Sequence, residues 1–145
     1  MKTYADTSFL VSLYLDDDHT EAANSWMKRR AEPLPFTPLH RHEFRNAIRL
    51  AVWRKQIDGA QRREFFRLMD EDLKAGYLER HAVVWTDAFR EAERIGAAQA
   101  EQTGVRAADL LHIGIASLLE TKEFLTFDTT QRKAAMGAGL MCTAL

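Results

Sequence analysis

Short apolar runs alternate with amphipathic stretches along the whole chain, and this alternation limits the fold more than any other feature. The first run, residues 1–5, ends at Asp6. Two hydroxyl residues, Thr7 and Ser8, then lead into a second apolar run. We read a strand over 2–5 and a helix over 8–15. Thr20 is placed to cap a helix reaching Ala31. Pro33 and Pro35 bracket a turn, and 36–37 is a very short strand. Pro38 opens a third helix to about Lys55, since proline at the first helical position loses no hydrogen bond. Asp58 caps a fourth helix ending near Gly76. Residues 78–85 are extended, and Thr86 caps a fifth helix to Gly104. Residues 106–119 make a strongly apolar sixth helix. A buried strand over 124–127, a short helix over 130–136 and a last strand over 140–143 complete the pattern. Strands separated by helices pair in parallel through right-handed crossovers. The expectation is a three-layer α/β/α fold with a central, mostly parallel sheet of four to five strands, in a single domain spanning 1–145. Ligands in such folds sit outside the carboxyl ends of the strands.

Charge and cysteine usage narrow the function. The longest nearly apolar stretch, 110–119, contains His112 and is too short to span a bilayer. The N-terminus reaches Asp6 before any long apolar run, so it does not read as a secretory signal. Cys142 stands alone, reads as a small buried hydrophobe in the last strand, and leaves no zinc-site spacing. A cytoplasmic protein with no membrane association is expected. The net charge of −1 excludes a strongly basic nucleic-acid binder as a global description. The charge is uneven, however. Residues 28–67 hold eleven basic and four acidic side chains, so this window is +7 and the rest of the chain is −8. Such asymmetry points to a polyanion or an acidic partner, with solvated helix faces as the plainer explanation.

Four acids sit at places where a local role competes with a chemical one. Asp6 follows the first strand and can cap the next helix. Asp128, in FLTFDTTQ, has Gln131 three residues on, the spacing of a capping box. Asp109 lies in the first turn of a helix, where the macrodipole favours a negative charge. Glu43 stands among arginines and can pair with one. The apolar flanks of Asp6, Asp109 and Asp128 add a second consideration. A carboxylate at the margin of a core needs a partner, because burying an unpaired charge is costly. A divalent cation relieves the repulsion among clustered acids. Oxygen donors without a His/Cys set favour Mg²⁺ or Mn²⁺.

The segments YADTS, HEFRN, RAADLLHIGIA and LTFDTT, in that order, resemble the motifs of PIN domains. Within that family the chain is similar to the VapC-type ribonuclease toxins of bacterial toxin–antitoxin pairs. The resemblance covers nearly the whole length. It implies a PIN-like fold and carries the family acids over as Asp6, Glu43, Asp109 and Asp128. Asp6 and Asp109 would bind the principal Mg²⁺ or Mn²⁺, with Asp128 and Glu43 as further or water-mediated ligands. Ser8 and Thr126 match the hydroxyls that support the acids, and Asn46 matches the usual asparagine. The activity implied is metal-assisted hydrolysis of phosphodiester bonds in a structured RNA. The partners implied are a VapB-like antitoxin and a second copy of the chain.

Other residues near these motifs carry lesser roles. Arg106 and His112, each one turn from Asp109, read as supporting residues, with His112 chiefly a packing or positioning histidine. His40 and His42 do not share a helix face, which argues against a zinc pair. Arg41, Arg45 and Arg49 form a stripe facing away from Glu43. Arg29, Arg30, Arg62, Arg63 and Arg67 are the stronger candidates for a phosphate track. Trp26, Trp53, Phe65 and Phe66 read as core or interface. Two alternatives share the fold: a non-catalytic RNA- or protein-binding module, and a housekeeping PIN nuclease without an antitoxin. A receiver domain would need an acidic pair at the first strand end and a lysine near the last strand. A haloacid-type phosphatase would need Asp-x-Asp where this chain has Asp-Thr-Ser.

Overall fold

The computed structural model describes residues 2–145; Met1, which the sequence places at the start of the first strand, lies outside the described residues. The elements in chain order are β1 (Thr3–Ala5), α1 (Thr7–Tyr14), α2 (Thr20–Arg29), β2 (Leu34–Phe36), α3 (Pro38–Trp53), α4 (Gly59–Ala75), β3 (Leu78–Arg80), α5 (Trp85–Thr103), α6 (Ala107–Leu118), β4 (Glu123–Leu125) and α7 (Thr129–Gly137). They gather into two compact units. The first joins the residues up to Asp6 with 82–145, and the second is 7–81. Among the described residues no helix is long and apolar enough to cross a membrane.

The fold is mixed α/β with parallel strands, as the alternation requires. β1 pairs with β4, and β2 with β3, both in parallel. The single sheet of four to five strands expected from the sequence is present as these two pairs. A last strand over 140–143 reduces to one bridge, Met141 to Glu123. Each strand is only three residues long, so each ladder is short. Several boundaries also move. Pro35 sits inside β2 rather than in a turn, opposite Glu79 of β3. Thr37 caps α3 instead of extending the strand, and His40 completes that capping box. Thr20 does not cap α2: its hydroxyl turns back to the Leu15 carbonyl. Thr86 does not cap α5, which starts at Trp85 after Val84 with no side-chain cap. Asp58 caps α4 as expected, accepting from the Gln61 amide at 2.8 Å.

In the first unit all three residues of β1 and of β4 are buried. Tyr4 stacks on its ladder partner Phe124, with centroids 5.7 Å apart. Every residue of α6 from Leu110 to Ala116 is buried, so the helix is wrapped on all sides at its centre. One glycine makes the α5–α6 packing possible. A methyl group at Gly114 would lie 3.0 Å from the Ala92 nitrogen and 3.1 Å from the Ala88 carbonyl oxygen. Both are backbone atoms, which cannot swing aside. Ala88 and Ala92 keep the facing side small. Substituting Gly114→Val therefore replaces a flexible residue but overpacks the seam. We expect a net loss of about 1–3 kcal/mol, read as a lower urea midpoint with an unchanged slope.

In the second unit Phe9 meets Trp26 edge-on, and Phe44 lies between Tyr14 and Phe66. The Tyr14 hydroxyl donates a short hydrogen bond to Asp72 of α4. Burial, together with the Asp72 carboxylate, pushes the Tyr14 phenol well above its ordinary range. A raised folded-state value means that this contribution to stability is intact below about pH 10, where the unfolded phenol titrates. It is lost as pH rises beyond that. Wild-type protein should thus lose melting temperature more steeply than Tyr14→Phe above about pH 10, and a pair of melting curves across that range tests it.

Candidate active site

Asp6 follows β1 directly, and its backbone amide donates to the Leu125 carbonyl of β4 at 3.0 Å. The parallel register thus brings the ends of the two strands together, and Thr126 follows β4 as Asp6 follows β1. Asp6 is buried, only 7% exposed. The Thr126 hydroxyl lies 3.3 Å from Asp6 Oδ2 and 2.7 Å from Gln131 Oε1, and its oxygen accepts from the Asp128 amide at 3.0 Å. Asp128 is the N-cap of α7: its Oδ1 accepts from the amides of Thr130 and Gln131 at 2.8 and 3.0 Å. The cap uses one carboxylate oxygen only. Asp109 lies in the first turn of α6, where the helix dipole favours its charge.

Asp109 and Asp128 line one open, polar cleft of about 590 Å³, together with Gly104, Arg106, Ala108 and Thr130. Gly104 shapes its wall. It ends α5 in the left-handed region, φ +74°, and turns the chain into α6 within three residues. Arg106 is exposed at the start of α6 and lines the same cleft.

Gln131 is the residue the sequence misled on. A capping-box glutamine returns its side chain to the cap's own amide. Here the Gln131 side chain turns inward, fully buried, to Thr126 Oγ1 and, through Nε2, to the Asp109 carbonyl at 3.3 Å. The available signal was helical spacing: Gln131, Ala134 and Ala135 form the buried face of α7.

The remaining sequence candidates fall as follows. Glu43 belongs to the second unit, where its Oε1 accepts from the Thr7 hydroxyl at 2.8 Å. Ser8 and Asn46 are exposed on α1 and α3. His112 is 2% exposed and shares a 2.7 Å hydrogen bond between its Nδ1 and the Tyr4 hydroxyl, which makes it a packing histidine. His40 is committed to the cap of α3. Cys142 is half-buried outside any strand, with its sulfur toward the Arg132 carbonyl.

Among the described residues no group of three or more His, Cys, Asp or Glu side chains is gathered tightly enough to cage a metal ion. The donor chemistry nonetheless suits a hard cation. Asp109 and Asp128 offer carboxylate oxygens to an open cleft, and Mg²⁺ is usually held by one or two carboxylates plus waters and substrate phosphates.

A family model described as PIN domain matches residues 3–136. The chain belongs to the PIN domain family. Two solved structures share the fold across nearly their full length. One is FitAcB from Neisseria gonorrhoeae, at 16% identity and a TM-score of 0.65, covering 98% of this chain and 96% of that one. The other is VapBC2 from Rickettsia felis bound to a promoter DNA fragment, at 14% identity and a TM-score of 0.64, covering 99% and 98%. No curated protein matches the sequence. This PIN domain keeps Asp6, Thr126, Asp128 and the Asp109 backbone in one hydrogen-bonded set centred on Gln131. Gln131→Leu keeps the shape but removes the nearer acceptor of the Thr126 hydroxyl and the amide that bonds the Asp109 carbonyl. It should cost about 1–3 kcal/mol, measured by urea denaturation.

Proposed function

We propose that this PIN domain is a metal-dependent endoribonuclease of the VapC type, acting on structured RNA and held in check by an antitoxin. The observation that carries the reading is the cleft at the starts of α6 and α7. It presents Asp109 and Asp128 together and is tied through Thr126 to buried Asp6. Family membership supports nuclease chemistry. One solved likeness bears the VapBC name, the toxin–antitoxin pair to which the sequence motifs point. A homodimer belongs to the same reading, by the resemblance.

In this reading Asp6 and Asp109 hold the principal Mg²⁺ or Mn²⁺, with Asp128 contributing its uncapped oxygen or a bound water. Glu43 is the fourth acid by the family pattern. A bound cation would polarise the scissile phosphate and lower the pKa of a water. The chain's own residues do the rest. Thr126 orients Asp6 and, through the Asp128 amide, fixes the start of α7. Gln131 holds the Asp109 backbone in register with both. Arg106 on the cleft wall is suited to a substrate phosphate, which its planar guanidinium binds in bidentate fashion. His112 is assigned no proton-transfer role, because it is buried and its Nδ1 is engaged by the Tyr4 hydroxyl.

The test is RNA cleavage by purified, partner-free protein with Mg²⁺ or Mn²⁺. Asp6→Asn and Asp109→Asn should reduce cleavage to the level seen with chelator. Thr126→Val, which removes an orienting hydroxyl and no ligand, should lower the rate about 10- to 100-fold. Wild type and Asp6→Asn cutting equally would sink the proposal.

A further inference from the structure

The acids of the α3–α4 hairpin have partners of their own. Glu43 accepts from Thr7, Asp58 caps α4, Glu64 and Glu71 both bind Arg67, and Asp72 binds Tyr14. Of these only Glu64 and Glu71 meet a cation, Arg67, and the charge of Asp70 reaches Arg45. Arg41, Arg45, Arg49, Arg62 and Arg63 make no ion pair among the described residues. The phosphate-track candidates divide accordingly. Arg67 is spent on its two glutamates. Arg30 lies over the Tyr77 ring, with its guanidinium also on the Met27 carbonyl.

Three of the unpaired cations form a regular array. Arg41, Arg45 and Arg49 are four residues apart on α3, about 6 Å per step along the axis with a drift of about 40°. Arg45 and Arg49 lie over the Phe66 ring of α4, at 4.6 and 5.2 Å from its centroid. A guanidinium held against an aromatic ring keeps its N–H edge available for a bidentate acceptor. Burial, with repulsion from Arg41 and Arg49 and against the pull of Asp70, lowers the affinity of Arg45 for its proton. The stripe thus carries three like charges with no ion pair among the described residues. The next position in the same series is Trp53, 78% exposed, where the sequence suggested core or interface.

We propose that the Arg41–Arg45–Arg49–Trp53 stripe of α3 is an RNA-binding surface, the arginines gripping consecutive backbone phosphates and Trp53 stacking on an unpaired base. Phosphates answer the missing charge, and the aromatic end favours RNA with single-stranded bases over an acidic protein, for which an exposed indole supplies no ionic contact. On an ideal helix Arg41 and Arg45 point away from Glu43. The inference rests on RNA being the substrate.

The test measures binding of a hairpin RNA with an open loop by fluorescence anisotropy, in chelator, so that cleavage plays no part. Wild type should bind with an affinity that falls steeply with salt. Arg41→Gln/Arg45→Gln/Arg49→Gln should bind at least about tenfold more weakly at low salt. The slope of log affinity against log salt should shrink by about 2, as three lost phosphate contacts to a single strand imply. Trp53→Ala should weaken binding by about 5- to 150-fold with little change in slope. The Arg→Lys triple variant keeps the charges and should keep the slope; it also serves if the glutamine variant fails to fold. An unchanged affinity and slope in the triple glutamine variant, or no wild-type binding, overturns the proposal and leaves an acidic protein as the partner to seek. Binding without cleavage in Mg²⁺ would instead remove the nuclease reading and keep this one.

Discussion

The Thr126 hydroxyl has one proton, and the order of the whole cleft follows from where it goes. Gln131 Oε1 lies at 2.7 Å and Asp6 Oδ2 at 3.3 Å. The shorter contact is the ordinary length for an O–H···O bond, and the longer one is weak. The Gln131 amide is oriented in turn by the Asp109 carbonyl, which accepts from Nε2 and would be repelled by Oε1. A directed chain thus runs from the start of α7 to the start of α6. The Asp109 carbonyl sets the glutamine, the glutamine draws the Thr126 proton, and the Thr126 oxygen is left to accept from the Asp128 amide. Asp6 receives only the longer branch of the Thr126 proton. A fully satisfied buried network of this kind specifies one arrangement, because each broken link strands a polar group. Among the described residues no buried side-chain polar atom lacks a partner.

The same chain removes an apparent conflict between structural and chemical roles. Asp128 is an N-cap, and Asp109 sits where a helix dipole favours an acid. Neither role competes with cation binding. The positive ends of α6 and α7 favour a negative charge beside the cleft, and capping engages one oxygen of Asp128 while fixing the direction of the other. The features that make these residues unremarkable as helix termini are what would prepare them as ligands in the proposed nuclease.

Much of this was legible in sequence. The parallel α/β organisation followed from alternation, and the cap at Asp58 from its spacing to Gln61. Asp6 and Asp128 were placed at strand ends by the apolar runs before them, and Thr126 by its family position. Other features depended on tertiary context that a linear pattern does not carry. Pro35 joins a strand because β2 offers it a place opposite Glu79, whereas two nearby prolines read locally as a turn. Gln131 read as the capping-box partner of Asp128; only its phase with Ala134 and Ala135 betrayed burial. His112 was visible one turn from Asp109, but its partner Tyr4 is 108 residues away. Trp53 was read as core or interface by residue type, and its exposure removes the core half of that reading, since large apolar side chains do stand exposed at recognition surfaces.

Charge counting failed and succeeded for one reason. The +7 window gives no means to tell a solvated helix face from a binding surface, because it adds cations that are already neutralised to those that are not. Arg67 contributes to the count, yet its field is cancelled within one turn on either side by Glu64 and Glu71. Arg41 and Arg49 contribute equally and form no ion pair among the described residues. A surface ion pair is worth little to stability, so Arg67 adds little to the fold by its pairing and nothing to the external field. The unpaired arginines do the reverse. They raise the energy of the free chain through mutual repulsion, which an incoming row of phosphates relieves. The physical meaning of the asymmetry thus lies in the charge left after local pairing is subtracted, and part of that charge is the row on α3, where Arg45 and Arg49 lie over Phe66.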